Sequence, residues 1–351
     1  MEYPEVCIAG AGIIGLSLAL ELHRCGVSVQ VLEQGEPLAA ASTAAAGMLA
    51  ANDPDNPPQL RALSQLSASL YPEWLDRLHA LSGERVVFQT ARTLQRVEPD
   101  PPDAAHPLPV LAEQDLPAAL QGTGMCYAQL QEHSLDPRLL ASALLAAVRA
   151  AGITVHRGTT LHAATAAGGA VHLATSAGGM QAQHFVDCCG AWSTTLAGAV
   201  VPRKGQMLTI TLPPDALQET VVRSSRVYVV PRTSGPAAGQ AILGATVEDV
   251  GFDVNVHAQD LQQLQEAAAA MMPALRGAPM VTAWAGIRPA TRDRLPVLGQ
   301  HPQQPHVWLA TGHYRNGILL APATAQVIAR QILRQPVAVD LTPFAPQRLM
   351  P

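Results

Sequence analysis

Near the start of the chain, Gly10-Ala11-Gly12-Ile13-Ile14-Gly15 follows a short apolar run at residues 5–8 and opens a helical pattern carried by Leu16, Ala19, Leu20 and Leu22. Gly26 closes that helix, and residues 27–32 read as a buried strand ending at Glu33. Strand, glycine turn, helix and strand make one βαβ unit, which commits this part of the chain to a parallel sheet. The same spacing carries chemistry. Glycines at 10 and 12 let the backbone approach a pyrophosphate, whose charge sits against the free N–H groups and positive dipole end of the helix. Glu33 stands where a carboxylate can accept from a ribose hydroxyl, the arrangement of a dinucleotide site. A solvated strand-end carboxylate is the alternative for Glu33.

The chain has 351 residues, beyond the ~250–300 at which one hydrophobic core stops growing, so two lobes are expected. Only 14 % of its residues are charged, against roughly 25 % in an average globular protein, so core material is ample and global disorder is excluded. The net charge is −5 and no basic run occurs, which argues against nucleic acid as a partner. The apolar stretch at 6–20 follows Glu2 and Glu5 rather than Lys or Arg, and is too short to span a bilayer, so a cytoplasmic chain without a membrane segment is expected. Cys7, Cys25, Cys126, Cys188 and Cys189 lack CxxC spacing and read as buried thiols; the histidines show no ligand spacing, and no metal site is expected.

Residues 39–51 are nearly free of bulky side chains. They suit either an Ala-rich helix or a segment that another object approaches closely. Leu60, Leu63, Leu66, Leu70, Trp74, Leu75 and Leu78 recur at helical spacing, with a bend expected at Pro72. Strand-like segments at 86–97 precede a Pro-rich surface excursion at 98–117. Asp136-Pro137 starts a helix that ends at Gly152, and residues 159–188 read as a strand meander. Residues 226–231 and 240–246 form another strand pair, 259–272 a helix, 307–311 a buried strand, and about 322–333 a closing helix with Pro322 in its first turn.

Seven motifs in this order resemble the flavin-dependent amine oxidases of the D-amino-acid oxidase superfamily, and within it the glycine oxidases of the thiamin pathway. They are AGAGIIG at 9–15, STAAAGMLA at 42–50, CGAWS at 189–193, YVVPR at 228–232, GATVED at 244–249, GIRPATRDRLPVLG at 286–299 and GHYRNGILLAPATA at 312–325. The resemblance implies an α/β fold: a Rossmann-type FAD-binding domain at 1–80, 134–200 and 286–336, a second antiparallel-sheet substrate domain at 81–133 and 201–285, and a C-terminal tail at 337–351. It implies one non-covalent FAD, with Gly10, Gly12, Ile13, Ile14 and Gly15 at the pyrophosphate and Glu33 and Gln34 at the adenosine ribose. Ser42, Ala46, Gly47 and Met48 would pass along the ribityl chain and flavin, which resolves the 39–51 segment toward close approach. Thr160 falls where the family meets the adenine with a backbone group, and Gly190, His313, Arg315, Asn316, Gly317 and Ile318 complete the implied cofactor set. The helix after Gly317 would aim its N–H groups at the flavin.

The resemblance also implies that the substrate carboxylate is held by Arg288 and Tyr228, with Arg315 as a second active-site arginine. Arg288 lies among Trp284, Ile287 and Pro289, so its guanidinium needs a partner, which a carboxylate provides in bidentate fashion. A salt bridge to Asp293 is the alternative; for Tyr228 it is a core tyrosine, and for Arg315 a surface position. Arg292 and Arg294 read as structural. Val247 stands where the best-known members often carry Met. His184 and Lys204 carry no role and are expected to be solvated.

The implied activity is oxidative deamination of glycine or a similar small amino acid, with hydride transfer to FAD, oxygen as acceptor and glyoxylate, ammonia and peroxide as products. The partners are then the small amino acid and oxygen, and the resemblance leaves room for a homo-oligomer. The nearest rival is an oxidase or dehydrogenase of D-amino acids, sarcosine or proline, because the carboxylate clamp is common to all. A nicotinamide-dependent dehydrogenase shares the βαβ unit but has no use for STAAAG or RNGILL. A non-catalytic flavin-binding module is the reading from another class.

Overall fold

A computed structural model describes residues 3–98, 108–196, 198–214, 216–217 and 219–349. The stretch at 99–107, most of the first half of the Pro-rich excursion, lies outside the described residues, as do the first two and last two positions.

Two large sheets carry the molecule. The first has six strands, in the spatial order Val297–Gln300, Val307–Thr311, His184–Asp187, Val6–Ala9, Val29–Glu33, Thr154–Arg157. All neighbours are parallel except Val297–Gln300, which pairs antiparallel with Val307–Thr311. Helices Ile13–Arg24, Arg61–Ser82, Pro137–Ala150 and Gly317–Ile332 pack together over this sheet and share its main core, with Ile8, Leu16, Leu63, Leu144 and Leu320 at or near zero exposure. Apolar strands buried on both faces are what a parallel sheet requires. The N-cap expected at Asp136 is present: its carboxylate accepts from the Arg138 N–H at 2.8 Å and Pro137 is the first helical residue.

The second sheet has seven strands, in the order Met280–Ala290, Val201–Thr211, Gln240–Gly244, Tyr228–Arg232, Thr220–Arg223, Arg92–Val97, Cys126–Leu130. It is antiparallel except where Thr220–Arg223 runs parallel to Arg92–Gln95, and it has its own core around Leu94, Leu208, Val222, Val229 and Leu243. The strand Met280–Ala290 belongs wholly to this sheet, crossing the division expected at residue 286.

The helix expected over the leucine stripe is one continuous element, Arg61–Ser82, with Pro72 inside it. Two local expectations change. The meander is a three-stranded sheet of Leu161–Ala167, Ala170–Thr175 and Gly178–Ala182, whereas His184–Asp187 leaves it to lie parallel to Val6–Ala9. The last helix starts at Gly317, not near 322. Pro322 therefore sits inside the helix and cannot donate to the Ile318 carbonyl four residues back. The Tyr71 hydroxyl donates to that carbonyl instead. One turn along, the Ser67 hydroxyl donates to the Leu319 carbonyl at 2.6 Å and accepts from the Ala323 N–H at 3.1 Å. Side chains from a helix some 250 residues earlier thus supply what the proline removes, which local sequence reading has no means to see.

Candidate active site

A single cavity of 790 Å³ runs from the first βαβ turn to the middle of the seven-stranded sheet, within the range of small-molecule and cofactor sites. At its first end the glycines have a steric reason. A Cβ on Gly10 would overlap the Cys188 carbonyl, and one on Gly15 would overlap the Gly10 carbonyl. The helix Ile13–Arg24 has no side-chain cap on Gly12, but the Ser42 hydroxyl accepts from the Ile13 N–H at 2.9 Å. Glu33 accepts from the Ala11 N–H and the Gly35 N–H, both at 2.8 Å. Its carboxylate thus braces the glycine turn from the wall of the cavity.

Gln34, Ala46, Gly47, Met48, Gly190, His313, Asn316, Gly317 and Ile318 also line the cavity. Thr160 does too, with both backbone groups engaged by Ser176: its N–H donates to the Ser176 hydroxyl at 3.0 Å and its carbonyl accepts from the Ser176 N–H at 2.9 Å. Its backbone N–H is therefore already spent. His313 is buried, its Nε2 is 3.0 Å from the Thr324 hydroxyl, and burial pushes its imidazole down to about 3, so the ring is neutral. Cys188 and Cys189 lie on the wall near Gly10, and burial pushes both thiols far up, which keeps them protonated. All five cysteines are free, but they are not all buried as expected: Cys7 and Cys188 are, Cys126 and Cys189 are half-buried, and Cys25, just after the helix Ile13–Arg24, is exposed.

At the other end, Arg288 reaches the cavity from the strand Met280–Ala290. Its Nη1 donates to the carbonyls of Lys204 (3.3 Å) and Thr246 (3.1 Å). Its guanidinium lies across Gly205, where a Cβ would collide with it. Among the described residues no carboxylate lies within ion-pair distance of Arg288; Asp293 is taken by Arg348 at 2.8 Å. Tyr228 shares the same cavity, its ring across Gly244. Burial raises the Tyr228 hydroxyl, against the pull of Arg288, Arg232 and Arg315, so it is a neutral donor. One end of the cavity thus offers an arginine without an acid beside a phenol.

Arg315 is placed differently. It is exposed at the cavity rim and pairs with Asp53 at 2.9 Å. Asp53 also lies 3.8 Å from buried Arg223, which is 3.2 Å from buried Glu132. This chain of charges joins four segments remote in sequence and had no sequence signal.

Other positions, given no site role in the sequence reading, grip the small-residue segment that lines the cavity. Arg232, buried in the seven-stranded sheet, donates to the Ala46 carbonyl at 2.9 Å, and Trp284 Nε1 donates to the Ala44 carbonyl at 3.0 Å. The Arg138 guanidinium lies 5.1 Å from the Trp284 ring centre. Arg232 stood in the YVVPR run, and a charge at the inward end of an apolar strand was the available clue. Lys204 is not solvated but wholly buried, and His184 is half-buried, accepting from Trp308 Nε1 at 3.2 Å.

The residues present fit a flavin dinucleotide: a helix N-terminus behind glycines, a carboxylate at the next strand end, a small-residue segment, and a second helix N-terminus at Gly317 open on one cavity. Among the described residues no helix is long and apolar enough to cross a membrane. The chain is 35 % identical to the bifunctional protein ThiO/ThiG of Trichormus variabilis over 94 % of its own length, and spans about half (53 %) of that relative. It is 30 % identical to the glycine oxidase of Geobacillus kaustophilus, covering 97 % of this chain and 96 % of that one. The crystal structure of glycine oxidase from Geobacillus kaustophilus superposes with a TM-score of 0.89 at 29 % identity, covering 98 % of each chain. Iminodiacetate oxidase from Chelativorans superposes with a TM-score of 0.83 at 25 % identity, covering 97 % of this chain and 98 % of that one. The family model described as DAO, FAD dependent oxidoreductase, matches residues 5–331, and the chain belongs to that family of FAD-dependent enzymes.

Proposed function

We propose that this protein oxidises glycine, or a comparably small amino acid, to the imine, which hydrolyses to glyoxylate and ammonia, with oxygen as final acceptor and hydrogen peroxide as the second product. The observation that carries the reading is Arg288, free of any acid among the described residues, beside the Tyr228 hydroxyl at the far end of the cavity that Gly10 opens. A substrate carboxylate placed there gains a charge-assisted pair and a phenolic hydrogen bond. Bound FAD supplies the acceptor for the hydride from the α-carbon.

The protein's own share is positioning. Arg288 and Tyr228 fix the carboxylate, which removes the rotations by which the α-carbon would miss the cofactor. Arg232 and Trp284 fix the carbonyls of Ala46 and Ala44 in the small-residue segment that lines the cavity. The first turn at Gly317 presents N–H groups to the cavity, where a helix N-terminus favours negative charge. The names of the curated relatives support a role in supplying thiamin thiazole synthesis.

Peroxide release measured in parallel with glycine, sarcosine and D-alanine tests the proposal. Turnover highest with glycine supports it; turnover with D-alanine or sarcosine alone moves the substrate to a rival, and none with any of them contradicts it.

A further inference from the structure

The Lys204 side chain is 0 % exposed, and its ammonium lies 3.2 Å from Glu248 and 3.3 Å from Asp253. Both acids stand on the segment at 245–257 that joins the strand Gln240–Gly244 to the helix Ala258–Met271. Lys204 also exchanges main-chain hydrogen bonds with Glu248, at 3.1 and 3.0 Å. Gln206, equally buried, donates to Glu248 at 2.9 Å and to Asp260, and accepts from the His257 N–H at 2.6 Å. Its own N–H donates to the Thr246 hydroxyl at 2.7 Å, and that hydroxyl donates to Glu248. Burial opposes the charge on Glu248, but hydrogen bonds from Thr246, Gln206 and Lys204 outweigh it and hold the carboxyl below its usual range.

Residues 204 and 206 flank Gly205, the position over which the Arg288 guanidinium lies. The two carbonyls that hold Arg288 Nη1 belong to Lys204 itself and to Thr246, near the start of the pinned segment. Val247, Phe252 and Val254 of that segment line the cavity. A buried ammonium between carboxylates is a poor device for stability alone, since an apolar side chain of similar volume avoids the desolvation. What the ion pairs add is a fixed place for two carbonyls.

We propose that Lys204 is a positioning residue for carboxylate capture: by pinning Glu248 and Asp253 it sets the Lys204 and Thr246 carbonyls that aim the Arg288 guanidinium into the cavity. This rests on the reading that Arg288 receives the substrate carboxylate.

The test titrates acetate, a carboxylate without an oxidisable amine, into holoenzyme and follows the flavin absorbance, alongside FAD content and glycine kinetics. Lys204→Met is expected to raise both the acetate Kd and the glycine KM by about 10- to 100-fold, the loss that follows when one charged hydrogen-bonding partner is misaimed. FAD content stays at the wild-type level, kcat falls far less than KM rises, and Lys204→Arg recovers most of the loss. If Lys204→Met does not fold, Asp253→Asn removes one pin from a partly exposed position, with an expected rise of about threefold. An unchanged acetate Kd in the folded variant overturns the assignment. Wild-type acetate affinity in Arg288→Ala would instead overturn the carboxylate reading beneath it, so the two failures are told apart.

Discussion

The Tyr71 hydroxyl donates its hydrogen bond to the Ile318 carbonyl, the acceptor that Pro322 leaves without a backbone donor in the helix facing the cavity. Both residues are buried. Tyr71→Phe strands that carbonyl, and burying an unpaired acceptor costs about 1–3 kcal/mol. Denaturant unfolding should show a loss of that size with an unchanged slope. A loss no larger than for a surface substitution would mean that the helix re-forms its turn without the hydroxyl.

The site predictions separate three residues. Arg288→Ala removes a charged bidentate partner, a truncation worth roughly 2–5 kcal/mol, or about 30- to 4000-fold in kcat/KM. Tyr228→Phe removes one hydrogen bond to a charged group, worth about 1.5–3 kcal/mol, or about 10- to 150-fold, mostly in KM. Arg315→Ala breaks a rim pair in which Arg315 is exposed and the largely buried Asp53 keeps Arg223 close by, so the loss should stay near the ~0–1 kcal/mol of surface pairs, less than about fivefold. Steady-state kinetics with glycine give the order; Arg315→Ala falling below Arg288→Ala would reassign the carboxylate.

Burial holds His313 neutral, with its imidazole pushed down to about 3. A depressed folded value means a contribution that is complete above the unfolded value near ~6.5 and is lost as pH falls toward about 3. Denaturant unfolding of wild type and His313→Gln should therefore agree in slope above neutrality and diverge below about pH 6, with wild type losing up to about 1.4 kcal/mol more per pH unit. Parallel curves down to pH 5 would mean that the imidazole is protonated in the fold.

Burial keeps the Cys188 and Cys189 thiols protonated, so neither offers a thiolate for a covalent cofactor link, and the neutral His313 ring, with Nε2 on Thr324, is the first nucleophile to test. Acid precipitation should release all flavin colour to the supernatant. Colour kept in the pellet would point to His313.

Several features were legible because their causes are local. The glycine turn, its helix and Glu33 repeat a steric and dipolar solution that must be written in consecutive residues, and Asp136-Pro137 writes its own cap. Arg288 and Tyr228 were reached through resemblance and fall on one cavity. What stayed hidden depends on partners far along the chain. Pro322 looks like a helix start until Tyr71 is seen to serve Ile318. Lys204 looks like a surface charge until Glu248 and Asp253 fold over it. The Thr160 N–H looks available to a ligand until Ser176 accepts from it, which leaves the carbonyl as the backbone group that can still receive a donor.

Anaerobic mixing of holoenzyme with glycine tests the central claim most directly, because it isolates delivery of the substrate's electron pair to the cofactor from whatever acceptor follows. The account predicts that excess glycine bleaches the oxidised flavin absorbance completely, with one glyoxylate formed per FAD. Flavin that stays oxidised in excess glycine, while the protein holds its full complement of FAD, would contradict it.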